Sequence, residues 1–242
     1  MHTRPYRHIA AALAMLALLF MLQGCRRAAR YGQETHSVEG FAGYDIVGID
    51  ISAHNGDIDF EKVRDAGVKF VYIKATEGGT FKDRRFIENL RQAREAGLKV
   101  GAYHFFRFDT PGYIQGLNFA ASIKGRKLDL PAVIDIEEFS NPNFQATRLV
   151  LERLTEMADY LEEHGYRIMF YTNKKGYARF IRGRFESYPL WLCSLGSLPD
   201  SPECDIWQAT HHGRVSGIDS DVDINVYPHP ASTWEAFASG IR

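Results

Sequence analysis

Between Asp45 and Val226 the chain alternates short, nearly continuous apolar runs with longer stretches whose apolar positions recur every three or four residues. The first kind reads as a buried strand and the second as an amphipathic helix. The spacing predicts strand Asp45–Ser52, helix Ile58–Ala66, strand Val68–Thr76, helix Asp83–Ala96, strand Leu98–Phe106 and helix Pro111–Lys124. Strand Leu130–Glu137, helix Thr147–His164, strand Tyr166–Thr172 and a shorter helix reaching Ile181 follow. The stripe is clearest in Thr147–His164, with Val150, Leu154, Met157 and Leu161 on one face and Glu152, Arg153, Glu156, Asp159 and Glu163 on the other. Gly67, Gly97 and Gly165 each end a helix and open a strand with a basic residue two positions on, a weak repeat in which glycine suits the left-handed position after a helix. Beyond Tyr188 the helices drop out. Pro189–Cys193, Cys204–Ala209 and Asp221–Val226 read as three short strands, and Ser232–Ala238 as a closing helix. Five βα units and three further strands are enough to close a barrel, so the expected class is α/β, an irregular TIM-like (β/α)5(β)3 barrel.

In such a barrel the C-terminal strand ends build the site. Those ends are polar here: Asp50 and Ser52; Lys74, Thr76 and Glu77; Tyr103 and His104; Asp135 and Glu137; Tyr171, Thr172 and Asn173; Trp207 and Gln208. The last strand alternates Asp221, Asp223 and Asn225 with Val222, Ile224 and Val226. In Leu130–Glu138, Val133, Asp135 and Glu137 are two apart and share a face, while Ile134, Ile136 and Glu138 point the other way. Two acids at one strand end are either a salt-bridged terminus or a catalytic pair. A ring of such ends favours a polar pocket. Carboxylates with aromatics suit a carbohydrate, because aromatic faces stack on sugar rings and glycosidic cleavage needs one protonated and one ionised acid. Crowding among Asp50, Asp135, Glu137 and Asp223 would keep at least one of them protonated.

Composition narrows the picture. A length of 242 residues, 45% of them hydrophobic, suits one large domain. A net charge of −1 offers no electrostatic case for nucleic acid. His54, His104, His211 and His212 have no second histidine at ligand spacing, so no metal is expected, nor any cofactor. Ser52 and Ser216 lack a nucleophile-elbow context.

The N-terminus has its own pattern. Arg4 and Arg7 precede the apolar run Ile9–Leu22, which is shorter than the roughly 20 residues of a membrane span and fits a secretory signal. Leu22-Gln23-Gly24-Cys25 resembles the lipobox of bacterial lipoproteins, in which the cysteine is lipidated, although Gln23 departs from the usual small or aliphatic residue. An ordinarily cleaved signal and an uncleaved anchor are the alternatives, and all three place the domain outside the cytoplasm. The expected division is therefore residues 1–24 signal, 25–44 a polar tether and 45–242 the barrel, a monomer held at a membrane through Cys25 and facing the periplasm or cell exterior. Cys193 and Cys204 flank a short loop and are either a disulfide in an oxidising compartment or two separate thiols.

Several segments occur together in order: Gly48-Ile-Asp-Ile-Ser52, Phe70-Val-Tyr-Ile-Lys-Ala-Thr-Glu-Gly78, Gly101-Ala-Tyr-His-Phe105, Asp135-Ile-Glu137, Tyr171-Thr-Asn173, Trp207-Gln208 and Val222-Asp-Ile-Asn225. From Asp45 to Tyr227 this ordered set resembles glycoside hydrolase family 25, the lysozyme or muramidase family. The resemblance implies the same (β/α)5(β)3 barrel and cleavage of the β-1,4 bond between N-acetylmuramic acid and N-acetylglucosamine in peptidoglycan. It implies Glu137 as general acid, Asp135 as its partner at the cationic transition state, and Asp50 and Asp223 as further acids. Tyr103 and Tyr171 match cleft aromatics, and Glu77, Trp207 and Gln208 match motif positions that either touch sugar or bond structurally at the rim. Two other functions remain open: a non-catalytic peptidoglycan-binding lipoprotein, and a glycosidase acting on another N-acetylated glycan.

Overall fold

The apolar runs become strands in the order expected, and their pairing closes them into a ring. The computed structural model describes residues 36–142 and 144–240. The expected signal segment, Cys25 and the tether up to residue 35 lie outside the described residues. The strands are β1 (His36–Ser37), β2 (Val47–Ile51), β3 (Phe70–Glu77), β4 (Phe81–Lys82), β5 (Lys99–Phe105), β6 (Ala132–Asp135), β7 (Ile168–Asn173), β8 (Leu190–Cys193), β9 (Ile206–Arg214) and β10 (Val222–Val226). The helices are α1 (Phe60–Asp65), α2 (Phe86–Glu95), α3 (Gly112–Ile123), α4 (Thr147–Glu163) and α5 (Trp234–Ser239), and an α turn at Lys174–Gly176 runs into a π turn at Tyr177–Ile181. Strands β9-β10-β2-β3-β5-β6-β7-β8 pair in that order and β8 returns to β9, closing an eight-stranded barrel. All of these pairings are parallel except that β10 runs antiparallel to both β2 and β9.

The alternation of side chains separates two cores. Facing inward are Phe70, Tyr72, Val133, Met169, Tyr171 and Trp191. Facing the helices are Ile49, Val71, Ile134, Ile136, Phe170 and Leu192. The expected stripe of α4 is fully withdrawn from water, with Val150, Leu154, Met157 and Leu161 all at 0% exposure. Gly67, Gly97 and Gly165 have φ of 98°, 89° and 79°, the left-handed geometry the repeat implied. Inside the barrel, Gly48 pairs with Phe70 and Gly101 with Tyr72, and each glycine leaves room for the ring of its partner. Trp234 stacks near Phe70 and Phe237 and closes the lower end.

One expectation needs correction. The barrel unit begins before residue 45: His36–Ser37 pairs with Gly213 and Arg214 of β9, Val38 is buried, and Phe41 and Tyr44 set their rings edge-on to Trp207. Sparse apolar residues in a glycine-rich stretch cover the outer face of β9. Of the two alternatives for Cys193 and Cys204, the bridge is absent and both residues are free thiols. In the parallel register Trp191 faces Ile206 and Cys193 faces Gln208, so Cys204 lies level with the residue before β8 while Cys193 ends that strand. That offset is on the order of 13 Å at about 3.3 Å per residue, and a disulfide needs Cα atoms within about 7 Å.

The packing inside the barrel makes one test simple. A methyl at Gly101 overlaps the Tyr72 ring, whereas a methyl at Gly40 meets nothing within 4 Å. Gly101→Ala is expected to cost about 1–3 kcal/mol through overpacking, and Gly40→Ala to stay within about 0.5 kcal/mol, both measured by urea unfolding.

Candidate active site

A cleft of about 520 Å³ opens where the parallel strands end. Each strand delivers its inward-facing side chain at that level. Strand β2 supplies Asp50, β5 Tyr103, β6 Asp135, β7 Tyr171, and β9 Gln208. Strand β10 runs the other way, so its first turnward residue, Asp223, reaches the same level and pairs directly with Asp50. Glu137 lies beyond the end of β6, which stops at Asp135, yet it still lines the cleft. Its backbone is held from below: Asn141 Nδ2 donates to the carbonyls of Glu137 and Phe106, both at 2.9 Å. Glu138 turns outward to an ion pair with Arg179 at 2.6 Å, as its opposite phase required.

A hydrogen-bonded chain joins these residues. Tyr171 O–H donates to Gln208 Oε1 at 2.7 Å. Gln208 Nε2 donates to Asp50 Oδ2 at 2.9 Å and to Asp223 Oδ2 at 3.2 Å. Asn225 Nδ2 donates to the same Asp50 oxygen at 2.8 Å, and Asn225 Oδ1 accepts from Trp191 Nε1, also at 2.8 Å. The Trp191 ring then meets Tyr171 edge-on at 4.7 Å, which closes the circuit.

Burial sets the acidities. It pushes Asp50 well above the carboxylate range, and the charge of Asp223 adds to this, while the Asn225 and Gln208 donors oppose it. It pushes Asp135 well up too, with Glu137 adding and Lys74 opposing. Asp135 Oδ1 is buried without a hydrogen-bond partner among the described residues. Glu137 is lifted to about 7, mainly by burial, with His211 and Lys74 pulling down and Asp223 pushing up. The free site therefore disfavours charge on both acids.

Two of the motif residues do not line the cleft. Trp207 faces away from the cleft, its Nε1 donating to Ser194 O at 2.7 Å, because Gln208 takes the inward phase of β9. Glu77 does not line the cleft either. It pairs with Lys74 at 2.7 Å and with Arg107 at 3.6 Å, and so holds the Lys74 ammonium in place, 5.1 Å from the Phe105 ring centroid. His104 is a core residue between Thr76 and Gln115.

The structure adds residues that periodicity did not single out. Phe105, Phe139, Trp191 and His211 line the cleft beside Lys74, one of the polar strand ends. Phe139 is 77% exposed, a free aromatic face at the mouth. His211 Nδ1 lies 3.1 Å from Asp223 Oδ1, a contact that, with Cys193 next, raises the imidazole to about 10. Alternation from Trp207 would put His211 on the outer face. A register shift between β9 and β10 near Thr210 changes that phase, and no short-range signal announces it.

Comparison with known proteins adds to this geometry. The family model for glycosyl hydrolases family 25 matches residues 49–218. The uncharacterized protein YegX of Escherichia coli K12 is 32% identical over 209 residues, covering 83% of this chain and 76% of its own. Lysozyme M1 of Streptomyces globisporus is 32% identical over 210 residues, covering 80% of this chain and 71% of its own. The structure of a family 25 glycosyl hydrolase from Bacillus anthracis superposes with a TM-score of 0.75 at 32% identity, over 81% of this chain and 94% of that one. The matched span holds Asp50, Asp135 and Glu137 together in the cleft, and the chain belongs to glycosyl hydrolases family 25 as a glycoside hydrolase of the lysozyme type.

Proposed function

We propose that this protein is a peptidoglycan muramidase, cutting the β-1,4 bond between N-acetylmuramic acid and N-acetylglucosamine with Glu137 as general acid. The observation that carries the reading is a half-buried carboxyl at about 7 beside a second, deeper one in an aromatic-lined cleft. Glu137 donates its proton to the glycosidic oxygen as the C–O bond breaks, and its carboxylate then takes a proton from the incoming water. Positive charge develops at the anomeric carbon, and Asp135 answers it in one of two ways. Its carboxylate attacks directly, or the acetamido oxygen of the substrate attacks while Asp135 supports the amide. The unpartnered Oδ1 of Asp135 supports the second route, because a substrate N–H donating to it stabilises the charged form that burial disfavours. Asp50, Asp223, Gln208 and Tyr171 form the hydrogen-bonded wall against which the sugar is held, and Tyr103 and Phe139 offer rings to it. Three desolvated acids, Asp50, Asp135 and Glu137, kept together in one cleft favour catalysis over mere binding, since a binding surface has no use for so costly a cluster.

Export and anchoring belong to the same reading. The leader and Cys25 fit a lipoprotein that presents the barrel to the wall from a membrane surface. In cells fed a radioactive fatty acid, label is expected on the wild-type chain and not on Cys25→Ala; label that persists in the variant rules out Cys25 as the anchor.

Glu137→Gln is expected to lower the release of muropeptides with reducing muramic acid ends from purified sacculi by at least about 100-fold. Wild-type release by that variant would remove Glu137 from the acid role. The pH dependence follows from its raised value. Activity that needs protonated Glu137 falls as pH rises through about 7. The same shift means that the folded state holds this proton more tightly than the unfolded state, so Glu137 destabilises the fold increasingly from pH 4.5 up to about 7. Glu137→Gln is therefore expected to melt at a higher temperature than wild type above pH 7, and the gain to disappear below pH 4.5.

A further inference from the structure

Cys193 takes no part in the chemistry above, yet its surroundings are not those of an inert thiol. It ends β8 two residues after Trp191, so its side chain stands on the face that lines the cleft. It is partly exposed and packs against the inner cluster. Its Sγ lies 3.8 Å from His211 Nε2, and the other ring nitrogen, Nδ1, lies 3.1 Å from Asp223 Oδ1. Strands β8, β9 and β10 thus bring together a thiol, an imidazole within reach of it and a carboxylate that orients the imidazole. That order of groups activates a sulfur nucleophile. Cys204 supplies the contrast within one chain: it is buried at the opposite end of β8, and burial pushes its thiol up to about 12.

We propose that Cys193, His211 and Asp223 form an activated-thiol site on the wall of the cleft, at which small disulfides such as oxidised glutathione form a mixed disulfide that obstructs glycan binding. The thiol proton passes to solvent while the charged imidazole of His211 faces the sulfur, and Sγ bonds to one sulfur of the reagent. The S–S bond of the reagent breaks with its electron pair passing to the departing thiolate, which takes up a proton from solvent. The disulfide is the only oxidant consumed. The resulting tripeptide adduct sits beside Gln208, the cross-strand partner of Cys193, at the mouth of a cleft of about 520 Å³. It also separates His211 from the sulfur while His211 remains tied to Asp223, an acid shared with Gln208.

The obstruction rests on the muramidase reading, but the reactivity does not, and one experiment separates them. The full-length chain is incubated with oxidised glutathione at neutral pH, and each thiol is followed by peptide mass mapping alongside muropeptide release. Cys193 is expected to react at least about ten-fold faster in the folded wild type than in His211→Gln or in the urea-unfolded chain, with Cys204 unmodified while the fold persists. Release is expected to fall in step with the Cys193 adduct, to return on addition of reductant, and to be both normal and insensitive to the reagent in Cys193→Ala. Equal rates for Cys193 in the folded and unfolded chains overturn the activated site without recourse to a variant. Complete modification with undiminished release overturns the obstruction. A wild-type chain that releases no muropeptides defeats the muramidase reading, while the rate comparison still decides the thiol site.

Discussion

One carboxamide holds the mouth of this barrel together. Gln208 accepts from Tyr171 and donates to both Asp50 and Asp223, two partly buried carboxyls on neighbouring strands. Each unmet buried polar group costs about 1–3 kcal/mol, and two like charges side by side cost more. The bridge makes their proximity tolerable. Asn225 repeats the arrangement one layer down and ties Asp50 to Trp191. The acid cluster, the aromatic interior and the closure of the ring are therefore one connected structure.

The burial that strains the fold also tunes the chemistry. Asp50, Asp135 and Glu137 are all pushed up by desolvation, and Lys74 and His211, from opposite sides of the ring, limit the rise of Glu137. Lys74 is itself steadied by Glu77 and flanked by the rings of Phe81 and Phe105. Glu77 thus serves the site without entering it. Beneath the acids, Tyr72 stacks on Trp191 at 4.9 Å, and glycines in β2 and β5 admit the large rings. A filled interior of this kind keeps water from below and lets the acids be approached only from the mouth.

Much of the site was legible from local pattern. Asp50, Asp135 and Gln208 lie on inward phases of strands whose hydrophobic alternation was readable, and Glu138 fell on the outward phase. Glu137 was assigned by extending that phase past the true strand end, and it reaches the cleft because Asn141 shapes the loop. Trp207 and Glu77 were drawn in because they sit within motif segments, but their side chains leave the cleft, one by phase and one through an ion pair. The short separation of Cys193 and Cys204 in sequence leaves a disulfide open because it says nothing about an offset along a strand. His211 lies beyond the expected strand Cys204–Ala209, and a register shift between Gln208 and Thr210 changes the phase that leads to it.

The sequence by itself determined the order of elements, the eight barrel strands and the two faces of each, because these follow from the spacing of apolar residues a few positions apart. Only the tertiary structure decided the direction of β10, the pairing of Asp223 with Asp50 and the contact of His211 with Cys193. Register and strand direction are properties of two segments at once, set when a ring of strands closes. No pattern within either segment specifies the partner, so the grouping of acids from the first and last barrel strands is a consequence of closure.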